Sequence, residues 1–364
     1  MRRSITLICI LAFCMAVCTG AVPGLRYADA CSLTIINKAL PTVSSPFHRV
    51  DSSGWAAMPS AVKKLYSYPS GMSVVFRTDS RHIYARWRTL GRRRSTNIPA
   101  IARSGLDLYI MKEGKWLFAG AGKPGECEHF APLCVNMDAS MKECMINLPV
   151  YDELLGLEVG VEEGARIEAI PSPYAARVVF AGSSITNGSG VSRPGMTYPG
   201  RIGRALMVET PNLGASGNFS LEPFFAEILA GVQADAIVLD AFSNPSAEQI
   251  ADRLMPFVAA VRRAHPHIPL IFLNTLVRPR GNFNLKVRAE EEAKREAAES
   301  AMREVTATFD GVYFINPGMP VGDDGEATVD GIHPTDMGFD RILSYILPVI
   351  ARILQQHGVI DADG

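Results

Sequence analysis

Three residues of the chain have the types and spacing needed for nucleophilic chemistry. Ser184 lies in a turn of small residues, 182–188, which follows the apolar run 178–181. Near the other end of the chain, Asp330 precedes His333 by three residues, so that one short loop carries both. A serine hydroxyl becomes a nucleophile when an imidazole accepts its proton and a carboxylate fixes the tautomer of that imidazole. These residue types therefore predict acyl transfer through a serine.

The elements that must position these residues follow a regular pattern. From residue 177 onward, strand-like apolar runs alternate with helical patterns. The strands are expected at 178–181, 236–239, 270–273 and 312–315, and the helices near 198–207, 247–264, 286–305 and 337–356. Such alternation predicts a parallel sheet with helices on both faces. Because ligands of these sheets bind beyond the carboxyl ends of the strands, the turn with Ser184 should face the substrate.

The preceding part of the chain has a different pattern. From about residue 44 to residue 170, short alternating or apolar runs are separated by Gly, Pro, Asn and Asp. This spacing predicts an antiparallel β-sandwich or jelly roll. Pro171-Ser172-Pro173 is a stiff linker and marks the expected boundary between the two regions.

Four short motifs occur in the order found in SGNH, or GDSL-type, hydrolases: Gly182-Ser183-Ser184-Ile185-Thr186, Asn212-Leu213-Gly214, Asn244 and Asp330-xx-His333. Upstream, the segment 104–109 is similar to the Gly-x-Asp-Leu-Tyr motif of the β-rich N-terminal domain on one branch of these enzymes. The chain resembles this family over roughly residues 45 to 345. Ser183 stands where the broad family usually has Asp. This position flanks the nucleophile and does not transfer a proton in the reaction, so activity is still expected.

The resemblance implies a role for each matched residue. Ser184 would be the nucleophile, His333 the general base and then acid, and Asp330 the carboxylate that orients His333. The oxyanion hole would consist of the backbone N–H groups of Ser184 and Gly214 and the side-chain amide of Asn244. Removing one such donor typically costs about 2.7–4 kcal/mol of transition-state stabilisation.

One further residue near the nucleophile has two open interpretations. Arg193, in the loop that follows Ser184, is either a guanidinium that packs against protein or a contact to the substrate. Asp107 and Tyr109 of the Gly-x-Asp-Leu-Tyr motif are expected to be structural.

The expected fold class is α/β. An all-β, jelly-roll-like sandwich would occupy residues 31–170, and a flavodoxin-like three-layer α/β/α SGNH domain residues 171–364. Residues 1–30 are expected to be a secretory signal peptide, with a basic start, an apolar segment at 5–17 and small residues at Ala28-Asp29-Ala30. The mature protein would be secreted or periplasmic. A lipid on Cys31 is the less favoured alternative, because the preceding residues form a poor lipobox.

Charge and cysteine content narrow the possible partners. The sequence has 36 Lys and Arg residues and 37 Asp and Glu residues, so it has no excess of positive charge with which to bind nucleic acid. No run after residue 30 approaches the roughly 20 apolar residues of a transmembrane helix. Cysteines at 31, 127, 134 and 144 permit a local disulfide such as Cys127–Cys134 in an oxidising compartment, and the pairing stays open. Spacings of seven and ten residues do not match zinc-finger patterns.

These observations predict an exported serine esterase that acts on short acyl esters, with an O-acetyl group on a carbohydrate as the preferred substrate. This substrate class is implied by the resemblance to two-domain enzymes that deacetylate carbohydrates. No cofactor or metal is expected, because the triad and oxyanion hole suffice for acyl transfer. Two alternatives stay open: a lipase, thioesterase or lysophospholipase with the same chemistry, and a glycan-binding protein with an inert hydrolase domain. The oligomeric state is not indicated by the sequence.

Overall fold

The computed structural model describes residues 24–40, 45–91, 96–316 and 320–361. Residues 1–23, which hold most of the expected signal peptide and its three cysteines, lie outside the described residues. Two antiparallel sheets form the N-terminal half of the described chain, and one parallel sheet forms the C-terminal half.

The N-terminal sheets pack face to face as a sandwich. One has the strand order β1-β9-β4-β7, and the other has the order β10-β3-β8-β5-β6, with β2 paired to β3. The strands are β1 Leu25–Asp29, β2 Thr34–Ile36, β3 Ser73–Thr78, β4 Ile83–Thr89, β5 Leu106–Lys112, β6 Lys115–Gly122, β7 Glu128–Cys134, β8 Lys142–Asn147, β9 Leu154–Glu162 and β10 Ile167–Ala169. Alternate residues of β4, such as Ile83, Ala85 and Trp87, point into the shared core, as a half-buried strand requires. Two short helices, α1 Ser60–Tyr66 and α2 Ala100–Ser104, lie between these strands in the sequence.

The C-terminal sheet is parallel throughout, with the strand order β12-β11-β13-β14-β15. Its strands are β11 Val178–Gly182, β12 Asn212–Gly214, β13 Ala236–Asp240, β14 Leu270–Leu273 and β15 Val312–Ile315. The helices are α3 Ser184–Asn187, α4 Tyr198–Leu206, α5 Pro223–Gly231, α6 Ala247–Ala264, α7 Leu285–Thr308 and α8 Asp336–Gln356. This strand order is that of flavodoxin-like folds, in which the switch point beside the first strand binds ligands.

Helices cover both faces of the parallel sheet because successive strand residues point to opposite sides. Val179 and Ala181 of β11 pack toward the layer that contains α5, α6 and α7. Val178 and Phe180 pack toward the layer that contains α4 and α8. The sandwich and the three-layer α/β/α arrangement predicted from the sequence are both confirmed.

The structure differs from the expected boundaries in two places. Strand β1 begins at Leu25, six residues before the predicted start of the sandwich, and it pairs with β9 over five residues. In addition, Val62 and Tyr66 of α1 are fully buried in the core of the C-terminal half. The linker at 171–173 therefore separates the sheets, while the hydrophobic cores extend across it.

Some short elements carry no clear signal in the sequence. Strand β12 has only three residues, among them Asn212 and Gly214, which are both depleted in strands. Helix α5 is apolar almost all round, so it lacks the period that marks an amphipathic helix. Each is held by neighbours that are distant in the sequence, which local patterns do not reveal.

The cysteines are free thiols in the described chain. Cys31 and Cys127 are exposed, Cys134 is half-buried and Cys144 is buried, so the structure does not contain the Cys127–Cys134 disulfide that the sequence permits. Within the described residues, no helix is both long enough and apolar enough to span a bilayer.

Candidate active site

A sharp turn between β11 and α3 presents Ser184 at the carboxyl edge of the parallel sheet. Gly182 has a φ of +155°, and a Cβ there would lie 2.5 Å from the carbonyl oxygen of Asp240, so only glycine fits. Ser183 caps the helical turn, since its Oγ accepts a hydrogen bond from the N–H of Ile185 at 3.1 Å. Ser184 is the first residue of this turn and is 9% exposed.

Asp240, at the end of the neighbouring strand β13, holds this turn in place. Its Oδ2 accepts hydrogen bonds from the N–H of Ser183 at 3.2 Å, from the Oγ of Ser183 and from the Oγ1 of Thr186 at 3.2 Å. Its Oδ1 accepts a hydrogen bond from Ser243 Oγ at 2.7 Å. Burial raises the pKa of Asp240, and the hydrogen bonds from Ser183 and Ser243 oppose that rise. Sequence reasoning missed this residue, although its position at a strand end beside the nucleophile turn is a usable signal.

The three residues singled out for nucleophilic chemistry form a continuous chain of hydrogen bonds. Ser184 Oγ lies 2.9 Å from His333 Nε2, and His333 Nδ1 lies 2.7 Å from Asp330 Oδ2. With its proton on Nδ1, the imidazole donates to Asp330 and leaves Nε2 free to accept the proton of Ser184. This is the arrangement that activates a serine for attack on a carbonyl carbon.

The loop that carries Asp330 and His333 fixes the carboxylate through its own backbone. Asp330 Oδ1 accepts hydrogen bonds from the N–H of Ile332 at 3.1 Å and from the N–H of His333 at 2.9 Å. Partial burial acts to raise the pKa of Asp330, but the hydrogen bonds from His333 and from Asn97 outweigh it and lower the pKa to about 2. Asp330 is therefore ionised throughout the neutral range.

Asn97 is the only one of these partners that belongs to the N-terminal half of the chain. Its Nδ2 lies 3.1 Å from Asp330 Oδ2 and 3.4 Å from His333 Nδ1. Sequence reasoning missed Asn97, because it lies outside every matched motif.

Asn244 presents a free donor near the end of β13. Its Nδ2 is buried and has no hydrogen-bond partner among the described residues. A buried amide without a protein partner is costly, and an oxygen of a substrate can satisfy it. Asn244 therefore has a donor that is available to a ligand.

Gly214 departs from the role expected for it. Its N–H donates a hydrogen bond to Asn212 Oδ1 at 2.8 Å, so this N–H is already occupied. A Cβ at Gly214 would lie 2.2 Å from the backbone nitrogen of Asn187, so glycine is required here for close packing of β12 against α3. The expectation that the Gly214 N–H binds an oxyanion therefore does not fit this geometry.

Gly217, three residues further along the same loop, has the properties expected of a backbone donor to a ligand. It is exposed and has a φ of +69°, and a Cβ there would meet no atom within 4 Å. No described residue accepts a hydrogen bond from its N–H. The left-handed backbone conformation at Gly217 could not be placed from the sequence, since the two glycines lie three residues apart near a strand that has no clear sequence signal.

Arg193 binds protein groups from the sandwich. Its Nη1 donates hydrogen bonds to Asp107 Oδ2 and to the hydroxyl of Tyr109, each at 2.7 Å. Its guanidinium also lies 4.0 Å from the centre of the Phe118 ring. Asp107 is fully buried and additionally accepts a hydrogen bond from the N–H of Gly195 at 2.9 Å. Of the two open interpretations, these contacts correspond to packing, with the Gly-x-Asp-Leu-Tyr motif holding the loop that follows the nucleophile.

Arg49 supports the same edge of the sheet and was missed by sequence reasoning. It is fully buried, and its Nη1 donates to the carbonyl oxygens of Asn212 at 2.8 Å and Gly214 at 3.0 Å. Its Nη2 donates to Asn187 Oδ1 at 3.0 Å. Burial lowers the pKa of Arg49 to about 10, so the guanidinium stays charged at neutral pH. Arg49 thereby ties β12 to the helical turn that begins with Ser184.

A parallel α/β sheet with a hydrogen-bonded Ser–His–Asp chain at its carboxyl edge, preceded by an antiparallel sandwich, is the architecture of an SGNH-type acylhydrolase. The chain belongs to the GDSL-like lipase/acylhydrolase family, whose pattern matches residues 175–351. Residues 25–167 match the Gly-x-Asp-Leu-Tyr domain found at the N-terminus of SGNH-hydrolase-type esterases. The family resemblance inferred from the motifs is therefore confirmed.

One solved structure supports this assignment, and two others share the fold. A protein of Bacteroides ovatus ATCC 8483 assigned to the GDSL-like lipases is 41% identical, with a TM-score of 0.89 over 91% of this chain and 98% of that chain. A salicylyl-acyltransferase from a tetracycline biosynthetic pathway is 19% identical, with a TM-score of 0.69 over 92% and 98% of the two chains. An acetyl xylan esterase from Butyrivibrio proteoclasticus is 14% identical, with a TM-score of 0.57 over 92% and 99%. The last two share the fold alone. No curated protein matches the chain.

Proposed function

We propose that this SGNH-family acylhydrolase is an exported serine esterase that removes short acyl groups, with O-acetyl groups on a carbohydrate as the substrate. The observation that carries the chemistry is the hydrogen-bonded chain from Ser184 Oγ through His333 to Asp330, with distances of 2.9 and 2.7 Å. Each atom that must donate or accept a proton is already within hydrogen-bond reach of its partner.

The reaction has two halves. Ser184 Oγ attacks the ester carbonyl carbon while His333 Nε2 takes its proton, and Asp330 stabilises the imidazolium that forms. The tetrahedral intermediate collapses when the alcohol oxygen takes that proton and leaves, so that an acyl group stays on Ser184. A water molecule then attacks the acyl group, again losing a proton to His333, and the free acid departs as Ser184 recovers its proton.

The negative charge on the carbonyl oxygen requires donors that are already in place. Our proposal assigns this role to the N–H of Ser184, the Nδ2 of Asn244 and the N–H of Gly217. Gly217 takes the place first expected for Gly214, because the Gly214 N–H is bonded to Asn212. The N–H of Ser184 is the first of a helical turn and has no intrahelical acceptor, as is general for such positions.

Two observations support a short acyl group on a carbohydrate. The cavities of about 630 and 430 Å³ in the described part of the chain are lined by neither Ser184 nor His333, and the pocket beside the nucleophile turn, lined by Ile185, Tyr198 and Asp240, holds only about 20 Å³. Each CH₂ of a longer acyl chain gains about 0.8 kcal/mol only where an apolar groove buries it. The fold is also shared with a family two carbohydrate esterase from Clostridium thermocellum in complex with cellohexaose, at 13% identity and a TM-score of 0.58.

One feature favours a second candidate, a lipase with the same triad. Phe283 is 97% exposed and Leu285 is 72% exposed. They follow Arg280, whose N–H donates to the carbonyl oxygen of Gly331 at 3.0 Å, in the loop that holds Asp330. An exposed apolar pair beside the active loop is a feature that could contact a lipid surface.

The distinguishing experiment measures kcat/KM for p-nitrophenyl esters from acetyl to palmitoyl, beside acetate release from acetylated xylan. We expect acetyl to be the best ester and acetate to be released from the polymer. A kcat/KM that rises steadily from acetyl to octanoyl would instead support the lipase. Ser184→Ala should retain less than about a hundredth of wild-type kcat, since the covalent nucleophile is lost.

A matched control is Ser192→Ala, which removes a nearby hydroxyl that donates to Asp336. This variant should keep the ester activity. If Ser184→Ala stays active while folded, another residue is the nucleophile and the assignment of the triad is wrong.

A further inference from the structure

We propose that Asn97, supplied by the N-terminal half of the chain, is a positioning residue for the Asp330–His333 pair, so that the sandwich region completes the active site. This inference rests on the proposed role of Ser184, His333 and Asp330. It assigns to the N-terminal domain a part in the reaction, in addition to packing against the hydrolase domain.

The geometry places the amide of Asn97 where it shares an acceptor with His333. Asn97 Nδ2 lies 3.1 Å from Asp330 Oδ2, the same oxygen that lies 2.7 Å from His333 Nδ1. Asn97 Nδ2 and His333 Nδ1 lie 3.4 Å apart, because both donate to the same oxygen of Asp330. The opposite orientation of the amide would bring its carbonyl oxygen against the carboxylate, which is repulsive.

With Asn97 in place, the carboxylate of Asp330 is held on both oxygens. Oδ1 accepts the backbone N–H groups of Ile332 and His333, and Oδ2 accepts the ring of His333 and the amide of Asn97. Without Asn97, the plane of the carboxylate would be set by its own loop alone. Hydrogen bonds to a charged group are stronger than those between neutral groups.

The amide is delivered by a segment that is itself firmly anchored in both halves of the molecule. Ile98, the next residue, packs in the core that lies between the parallel sheet and α8. Pro99 precedes α2, and the carbonyl oxygens of Ala102 and Arg103 accept hydrogen bonds from the N–H groups of Val150 and Tyr151 at 3.0 and 3.1 Å. Trp87 Nε1 donates to the carbonyl oxygen of Ser104 at 2.8 Å. Asn97 is thus held by rigid neighbours on its C-terminal side.

The amide also acts on the electrostatics of the imidazole. Three charged residues lie on or beside the loop that carries His333. Asp330 bonds to the imidazole, the main-chain N–H of Arg280 donates to Gly331, and Asp336 at the start of α8 bonds to Ser192. Asn97 draws part of the negative charge of Asp330 toward itself, so the carboxylate stabilises the imidazolium less. Loss of the amide should therefore favour protonation of the imidazole, and activity should then be lost at a higher pH on the acid side.

The test compares Asn97→Ala and Asn97→Asp with wild type in kcat, KM and the pH dependence of kcat/KM for p-nitrophenyl acetate. For Asn97→Ala we expect kcat to fall about 10-fold, KM to change less than about twofold, and the acid limb to move up by about half a pH unit. Asn97→Asp has the shape of Asn but places a second carboxylate beside Asp330, and it should move the acid limb by about one pH unit or more. Because this variant is isosteric, the test holds even if Asn97→Ala fails to fold.

The control is Tyr66→Phe, which removes another hydrogen bond between the two halves, from the Tyr66 hydroxyl to the carbonyl oxygen of Leu213 at 3.2 Å. Its acid limb should coincide with that of wild type. The proposal is overturned if both Asn97 variants keep the wild-type acid limb, even with a lowered kcat, because a packing role alone would do that. Ser184→Ala in the same series separates the two hypotheses: an active Ser184→Ala contradicts the proposed triad, whereas an unmoved acid limb contradicts only the role of Asn97.

Discussion

Asp240 explains how a serine can stand beside the nucleophile where related enzymes usually have an aspartate. Ser183 donates from both its N–H and its Oγ to Asp240 Oδ2, so a carboxylate from the adjacent strand holds the turn. Ser183 Oγ in turn accepts from the N–H of Ile185. The carboxyl group that the broad family carries on the turn itself is supplied here from β13.

The two glycines of the β12 loop should respond in opposite ways to substitution by alanine. Gly214→Ala places a Cβ 2.2 Å from the Asn187 nitrogen, and we expect a loss of about 3 kcal/mol of stability, because backbone must move to relieve the overlap. Gly217→Ala meets no atom within 4 Å, so only the strain of its positive φ, about 1 kcal/mol, should appear. Thermal or chemical unfolding of both variants measures these losses. A larger loss for Gly217→Ala would contradict the packing role of Gly214.

At the scale of single elements, strand β1 is relevant to the position at which the expected signal peptide would be cleaved. It pairs with β9 from Leu25 to Asp29, and Arg26 Nη2 donates to the carbonyl oxygen of Ala165 at 2.7 Å. Tyr27 also lies under the guanidinium of Arg86, at 3.7 Å from the ring centre. A cut after Ala30 would remove this strand and leave the edge of β9 unpaired.

For the export that we propose, we therefore expect the mature protein to begin before Leu25. The small residues Thr19-Gly20-Ala21 provide a cleavage signal upstream of β1. N-terminal sequencing and the intact mass of the exported protein would locate the cut, and a mature N-terminus at Cys31 would contradict this expectation. As a control, protein that begins at residue 31 should unfold at a lower temperature than protein that begins at residue 22.

At the scale of the whole molecule, the two halves form one structure around the active site. Arg49 and Tyr66, which precede the main strands of the sandwich, donate hydrogen bonds to the carbonyl oxygens of β12. Ser70 Oγ donates to the carbonyl oxygen of Asn187 at 2.7 Å. The N-terminal half therefore buttresses strand β12 and the helical turn that begins with Ser184, and the hydrolase half should not be fully active without it.

The pair of Arg193 and Asp107 tests whether the contact between the halves stabilises the fold or binds substrate. Arg193→Ala leaves the fully buried Asp107 without its cation, and we expect a loss of about 3 kcal/mol of stability. Asp107→Asn in the Arg193→Ala background should restore part of that loss, with a coupling energy of about 1–3 kcal/mol in a double-mutant cycle. KM for p-nitrophenyl acetate should change less than about twofold. An increase of more than about tenfold in KM with little loss of stability would instead assign Arg193 to substrate binding.

Much of the architecture followed from the sequence because hydrophobic periodicity is local to each element. Helix α6 at Ala247–Ala264 coincides with the helical pattern at 247–264, and β14 at Leu270–Leu273 is a short buried apolar run. The order of the motifs around Ser184, Asn244 and Asp330-xx-His333 was sufficient to identify the family. These features depend on residue type and spacing, which the sequence contains directly.

Tertiary structure alone decided which groups are free to act and which are already bonded. Gly214 and Gly217 look alike in the sequence, but only the fold turns one N–H toward Asn212 and leaves the other without an acceptor. Asn97 bonds to Asp330, which is 233 positions away in the sequence, and Arg49 bonds to Asn212, which is 163 positions away. A hydrogen bond depends on distance and angle between specific atoms, and for residues so far apart both are set by the packing of the sheets and not by local sequence.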